Sequence, residues 1–249
     1  MKKMLIKKLF KENKIFFFNY NYNSFFEGLY RFFGILVSPL FIKLNPNFIS
    51  LLSLICGLMG LVFLIFFSLQ INLIIIFFIF SFVLDFTDGV VARTTEKTSF
   101  YGRFIDGLFD IFVMSFLHIV FLIYIINNKF INIFDIYFIF FLFVTTLMPI
   151  QHLILDRFSS LARWCNELNN NKKIKPYYRN IFFGKITKFL FDSQHLCIWV
   201  IFFNFSLSNF FVMKTFFILS GTASFLNLFI YIYLSRKNFF EVKNPTDND

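Results

Sequence analysis

Long apolar stretches separated by short polar breaks dominate the pattern of this chain of 249 residues. An α-helix needs about 20 apolar residues to cross the hydrocarbon core of a bilayer, and six stretches come close to that length. Asn45-Pro46-Asn47 precedes the first stretch, and Gln70 separates the first from the second. The pattern therefore predicts six transmembrane helices, at residues 48–69, 71–92, 103–126, 131–153, 190–206 and 211–234.

The segment before the first predicted span has a different pattern. Residues 1–23 are rich in lysine, and residues 24–44 mix apolar side chains with Glu27, Arg31 and Lys43. Charge interrupts this second stretch too often for a span, so we predict an amphipathic helix that lies in the membrane interface. The expected organisation is a basic tail with an interfacial helix (1–44), a six-helix domain (45–235) and a charged C-terminal tail (236–249).

The composition agrees with an all-α membrane protein. Hydrophobic residues make up 58% of the chain and charged residues 15%, whereas a soluble domain carries about 25% charged residues. The predicted fold class is therefore an all-α membrane protein with six transmembrane helices, preceded by an N-terminal interfacial amphipathic helix.

The distribution of positive charge predicts an orientation. Among the 24 basic residues, all but Lys129 and Lys214 fall on the side of the N-terminus if the chain crosses the membrane six times. Because Lys and Arg accumulate in cytoplasmic segments, both termini are expected in the cytoplasm. The net charge of +10 is explained by basic residues at an anionic leaflet, and no nucleic-acid partner is expected.

Four aspartates lie together in the segment DFTDGVVARTTEKTSFYGRFIDGLFD, which covers residues 85–110. Asp85 and Asp88 fall near the end of the second predicted span, and Asp106 and Asp110 near the start of the third. Positions three or four apart share one face of a helix, and consecutive spans run antiparallel, so the two carboxylate pairs can converge. Carboxylates at membrane depth are costly and usually functional.

Converging carboxylates would repel one another in a low dielectric unless cations neutralise them. All-oxygen ligands suit Mg²⁺ or Mn²⁺, and two such ions could clamp a diphosphate. Gly89 and Gly102 lack side chains where a nucleotide would approach, Ala92 keeps the helix narrow, and Arg93 offers a fork for phosphate. A structural alternative pairs Arg93 and Arg103 with aspartates in helix packing, but it leaves two carboxylates unbalanced.

The spacing Asp-x2-Asp-Gly-x2-Ala-Arg-x8-Gly-x3-Asp-x3-Asp resembles the signature of the class I CDP-alcohol phosphatidyltransferases at every fixed position. The Asn45-Pro46-Asn47 segment with Ser50 resembles the entry to that family's first spanning helix. The six-helix plan with a preceding interfacial helix is also similar to the family. A match of this length in a membrane context is specific for the class, and it leaves the subfamily unassigned.

This resemblance implies an integral-membrane transferase of phospholipid biosynthesis. It would move a phosphatidyl group from a CDP-linked lipid, usually CDP-diacylglycerol, to an alcohol hydroxyl and release CMP. The resemblance implies two divalent ions, Mg²⁺ or Mn²⁺, held by Asp85, Asp88 and Asp106, and it makes Asp110 the catalytic base and a further contact to metal. The cytidine diphosphate site would be lined by Asp88, Gly89, Ala92, Arg93 and Gly102. The resemblance also allows a homodimer.

The acceptor stays open at this stage. Glycerol-phosphate-using members tend to have Pro and Lys where this chain has Gly107 and Ile111, so that subfamily gains no support. The segment 154–190 is strongly basic, which fits either a pocket for a phosphorylated acceptor or a positive-inside segment resting on anionic lipid. A CDP-choline or CDP-ethanolamine phosphotransferase acting on diacylglycerol is also compatible with the motif.

Two alternatives come from other classes of protein. A cation transporter could use the aspartates as an ion path, but transporter sites usually lie at the bilayer midplane between repeated halves. The chain has no evident internal repeat and no second acidic cluster in 131–234. A family-like protein without activity would bind lipid or partners, but its aspartates would be expected to decay.

Overall fold

The computed structural model describes residues 25–67, 70–168, 182–203 and 209–239. These residues form seven α-helices and confirm the all-α class. The predicted basic N-terminal tail and most of the C-terminal tail lie outside the described residues. In chain order the helices are α1 (Phe25–Phe41), α2 (Pro46–Phe67), α3 (Ile71–Thr94), α4 (Phe100–Asn127), α5 (Ile136–Leu168), α6 (Phe182–Phe202) and α7 (Asn209–Phe239).

Five of the described helices are long and apolar enough to cross a membrane, and they match five of the six predicted spans. The spanning portions are α2, α3, α4, residues Ile136–Arg163 of α5 and residues Phe210–Arg236 of α7. The chain is therefore an integral, multi-pass membrane protein. Helix α6 overlaps the remaining predicted span but does not meet the same criteria, because its first half carries Lys185, Lys188 and Asp192. The count of six spans is thus not confirmed.

Helix α1 forms where the interfacial helix was predicted. Its buried side includes Phe26, Tyr30 and Gly34 and packs against α3. The outward side is apolar rather than polar, with Phe32 45% exposed and Leu40 81% exposed. The amphipathic character of this helix is therefore not confirmed, since the side turned away from the bundle is suited to lipid rather than water.

The basic segment that follows the fourth predicted span begins as a helix, which corrects the end of that span at residue 153. Helix α5 continues to Leu168. Phe158, Ala162 and Cys165 keep the helical spacing of apolar positions and pack against Tyr231 and Leu234 of α7. This buried stripe extends the helix, because the charged residues among them fall on its other sides.

Helix α2 is central to the half of the bundle that carries the aspartates. It packs along both α3 and α4, while α1 covers another side of α3. Helices α5, α6 and α7 form the other half, with α5 and α6 each packed on α7. The largest apolar core joins the halves through residues such as Phe78, Phe121 and Phe216. This arrangement leaves the joined ends of α3 and α4 facing each other beside α2.

Candidate active site

A short turn reverses the chain between the two aspartate-bearing helices. The N–H groups of Thr95 and Lys97 donate to the carbonyls of Val91 and Ala92 and so end α3. Glu96 adopts a left-handed backbone conformation, with φ of 58°, which a non-glycine residue seldom adopts. Ser99 then caps α4, since its Oγ accepts a hydrogen bond of 2.9 Å from the Gly102 N–H. The turn sets α4 antiparallel to α3.

The four aspartates meet where these two helices face each other. Carboxylate oxygens of Asp85, Asp88 and Asp106 all lie within 4.8 Å of one another. The carboxyl group of Asp110 is in direct contact with that of Asp85. Residues from both helices thus contribute to one cluster, as the helical spacing predicted.

Asp88 is the most enclosed member of the cluster, with 5% of its surface exposed. It accepts a hydrogen bond from the hydroxyl of Ser50 on α2. Ser50 is itself buried, and its hydroxyl also approaches the carbonyl of Pro46 at 3.3 Å. A hydrogen bond of this kind orients a carboxylate and limits its rotation, as outer-sphere partners of metal ligands do.

One carboxylate oxygen in the cluster lacks a hydrogen-bond donor among the described residues. Asp106 Oδ1 is buried and accepts no hydrogen bond from any residue that the structure describes, although buried polar atoms are normally satisfied. Its neighbours are other carboxylate oxygens, which cannot donate when ionised. An all-oxygen set with an unsatisfied buried atom fits a hard divalent cation such as Mg²⁺ or Mn²⁺. The donor chemistry of these residues therefore agrees with the metal that the sequence predicted.

Arg93 and Gly89 lie together on the turn of α3 beyond Asp88. A Cβ built on Gly89 would lie 3.2 Å from Arg93 Nη1, so the guanidinium group rests over the space that the glycine leaves. The positive charge of Arg93 also lies near the carboxylate of Asp106. Even if Arg103 contributed a second positive charge, two guanidinium groups would not balance four carboxylates, which weighs against the purely structural ion-pair interpretation.

Gly102 and Ala92, two further predicted residues of the nucleotide site, lie on either side of the turn between α3 and α4. A Cβ on Gly102 would lie 3.1 Å from both Asn47 Oδ1 and Ser99 Oγ. The glycine thus permits the start of α4 to approach the start of α2. Ala92 is half-buried, and its carbonyl accepts the Lys97 N–H at 2.9 Å. Gly102 therefore has a structural reason for its small size, in addition to the predicted role in nucleotide binding.

Ser50 lies at the entry to the first predicted span and was not among the predicted site residues. The structure adds Ser50 to the site through its hydrogen bond to Asp88. The available signal was a polar residue about one turn into an otherwise apolar span, which is costly unless it finds a partner.

The fold and the site define a multi-pass membrane protein whose acidic cluster is built at the joined ends of two spanning helices. The family model for CDP-alcohol phosphatidyltransferase matches residues 43–204, which is more than half of the chain. The chain therefore belongs to the CDP-alcohol phosphatidyltransferase family, a family of transferase enzymes of phospholipid biosynthesis. A comparison with curated proteins gave no match.

Proposed function

We propose that this enzyme transfers a phosphatidyl group from CDP-diacylglycerol to the hydroxyl of a small alcohol or alcohol phosphate and releases CMP. The observation that carries the proposal is the convergence of Asp85, Asp88 and Asp106, with Asp110 in contact with Asp85, in a member of this family. The homodimer allowed by the resemblance is not supported by the structure or by the family match.

The proposed metal ligands are Asp85, Asp88 and Asp106, with Asp110 as a further contact. When bound there, two ions of Mg²⁺ or Mn²⁺ would polarise the phosphoryl group and stabilise the leaving oxygen. The hydrogen bond from Ser50 holds the Asp88 carboxylate in one orientation. The buried, unsatisfied oxygen of Asp106 is the single atom that most favours this assignment.

Asp110 is the proposed catalytic base. It lies one helical turn beyond Asp106 on α4, so both carboxylates share the side of the helix that faces α3. In the proposed reaction Asp110 takes the proton of the acceptor hydroxyl while that oxygen bonds to the β-phosphorus. The bond between this phosphorus and the oxygen of CMP breaks, and CMP leaves with the electron pair.

Asp88, Gly89, Ala92, Arg93 and Gly102 are the proposed residues of the cytidine diphosphate site. Arg93 can present two parallel N–H donors to a phosphate, a geometry that suits the guanidinium group better than an ammonium group. The guanidinium group lies over Gly89, which carries no side chain at that point of α3. The fork would hold the diphosphate beside the carboxylate cluster.

Replacing Ser50 with alanine should lower kcat/KM by about 10- to 150-fold, because a hydrogen bond to a charged group contributes about 1.5–3 kcal/mol. The loss should appear mainly as a higher Mn²⁺ concentration for half-maximal activity. Ser50→Thr keeps the hydroxyl group and serves as the matched control, with activity close to that of the wild type. Equal losses in both variants would show that packing at residue 50, rather than its hydrogen bond, matters.

The proposed orientation places the aspartate cluster at the cytoplasmic face, with both termini in the cytoplasm. Thr98 lies in the turn between α3 and α4, Asn132 lies before α5, and both are exposed. In a background without Cys56, Cys165 and Cys197, Thr98→Cys should react with a membrane-impermeant maleimide only from the cytoplasmic side. Asn132→Cys should react only from the outside. The reverse labelling would contradict access of a cytosolic nucleotide to the site.

The reaction itself is tested with purified protein, radiolabelled CDP-diacylglycerol, Mn²⁺ and a panel of alcohols and alcohol phosphates. CMP release that requires one particular alcohol would support the proposal and identify the acceptor. A parallel reaction tests the alternative activity, with CDP-choline or CDP-ethanolamine as the donor and diacylglycerol as the acceptor. Cation uptake into proteoliposomes without CMP release from any donor would instead identify a transporter.

A further inference from the structure

Helix α2 stands behind the carboxylate cluster and contacts both helices that form it. Helices α2 and α3 run antiparallel, with Ser50 opposite Asp88 and Gly60 opposite Phe78. Helices α2 and α4 run parallel, with Asn47 opposite Gly102 and Gly57 opposite Val113. The separation of the two carboxylate pairs therefore depends on how closely α3 and α4 each approach α2.

Two serines fix α2 against α3 about one turn from the cluster. The Ser53 hydroxyl donates to the Ser81 carbonyl at 2.9 Å, and the Ser81 hydroxyl donates to the Ser53 carbonyl at 2.8 Å. The two hydroxyl oxygens lie 3.0 Å apart, and both residues are buried. Such a reciprocal pair holds one register, because a slip of either helix would leave buried polar groups unsatisfied. Ser81 lies one helical turn before Asp85.

Gly57, one helical turn beyond Ser53 on α2, permits the close approach of α2 to α4. A Cβ built on Gly57 would lie 3.1 Å from Val113 Cγ2 and 3.4 Å from Val113 Cγ1. Val113 lies less than one turn beyond Asp110 and about two turns beyond Asp106, on the same side of α4. Any displacement of α4 at Val113 would thus be transmitted through a rigid helix to both carboxylates.

We propose that Gly57 and the Ser53–Ser81 pair are positioning residues that set the distance between the two carboxylate pairs and thereby the affinity for the divalent cation. This inference rests on the proposed function of the cluster as a metal site. A methyl group at residue 57 would require Val113 to yield by a few tenths of an ångström. Metal–ligand distances tolerate deviations of about 0.2 Å. A displacement of α4 by a few tenths of an ångström would therefore be large enough to weaken cation binding.

The test measures binding of Mn²⁺ to the purified, full-length protein without substrate, by the loss of the free Mn²⁺ signal in electron paramagnetic resonance. Gly57→Ala should weaken binding by about tenfold, the scale expected when support of a ligand is lost. Adding Val113→Ala to this variant removes the opposing methyl groups and should restore most of the affinity, a coupling that a double-mutant cycle measures.

Gly221→Ala is the matched control. Its added Cβ would lie 2.9 Å from Val144 Cγ2, a closer approach than at Gly57, but it separates α7 from α5 rather than α2 from α4. This control should leave Mn²⁺ affinity unchanged even if it lowers the thermal unfolding temperature. If Gly57→Ala does not fold, the pair Ser53→Ala with Ser81→Ala removes the reciprocal bonds without adding bulk and should weaken Mn²⁺ binding several-fold.

The outcomes separate this inference from the proposed function. Wild-type protein that binds no Mn²⁺ would overturn the metal site, and the positioning role with it. Wild-type binding with unchanged affinity in Gly57→Ala, or in the double serine variant, would overturn the positioning role alone. An equal loss in Gly221→Ala would also overturn it, because the effect would then reflect general packing of the bundle.

Discussion

Replacement of Asp85 with asparagine is expected to abolish CMP release while the protein remains folded. The amide matches the carboxylate in size but removes a negatively charged oxygen from the cluster that also contains Asp88 and Asp106. Metal-ion catalysis supplies several kcal/mol of transition-state stabilisation, and each 1.36 kcal/mol corresponds to a factor of ten. The expected loss is therefore about 10³-fold or more, with little change in thermal stability.

A chelator is likewise expected to stop turnover of the wild-type enzyme, and added Mg²⁺ or Mn²⁺ to restore it. Asp135→Asn is the matched control, because Asp135 lies before α5, where its carboxylate accepts the Asn132 N–H at 2.7 Å. An amide oxygen can still accept that bond, so this variant should keep normal activity. Turnover that persists in excess chelator would show that the carboxylates do not act through metal.

The convergence of the aspartates could be predicted from sequence because it depends on local rules. Spacings of three and four residues place Asp85 with Asp88, and Asp106 with Asp110, on one face of their helices. A short polar segment between two spans makes those helices antiparallel neighbours. No contact between distant parts of the chain had to be known, and the structure brings the four carboxylates together.

The hydrogen bond between Ser50 and Asp88 could not be predicted in the same way. It depends on the register between α2 and α3, which is set by contacts such as the Ser53–Ser81 pair and the approach of Gly60 to Phe78. These contacts arise from side-chain packing across two helices. An apolar pattern indicates that each helix spans the membrane, but it does not specify which residues face each other.

Contacts between distant segments also determine features outside the motif that the sequence pattern did not predict. Helix α5 continues past the predicted boundary because Phe158 and Ala162 pack against α7. Asp192 lies within α6 and accepts the Phe26 N–H of α1 at 3.1 Å, so it satisfies the first turn of another helix. From sequence alone, an acidic residue at that position only interrupts a predicted span, since its partner is far away along the chain.

Asp106 and Asp110 are expected to respond differently to added metal, although they lie one turn apart on α4. Asp106→Asn removes a proposed ligand, and a high Mn²⁺ concentration should partly restore its turnover by mass action. Asp110→Asn removes the proposed base, and an amide cannot take the proton of the acceptor hydroxyl. Loss of a general base typically costs about 10²–10⁴-fold in rate, and additional metal does not replace it.

Turnover and CDP-donor binding measured in both variants across a Mn²⁺ series distinguish these two roles. Asp110→Asn should bind the donor nearly as well as the wild type, because the proposed nucleotide residues, including Arg93 and Gly89, are unchanged. Asp106→Asn should bind it weakly at low Mn²⁺ and more tightly as the concentration rises. Since Asp110 also contacts Asp85, a full recovery of Asp110→Asn at high Mn²⁺ would make Asp110 a metal ligand only. In that case the proton of the acceptor must pass to another group near the joined ends of α3 and α4.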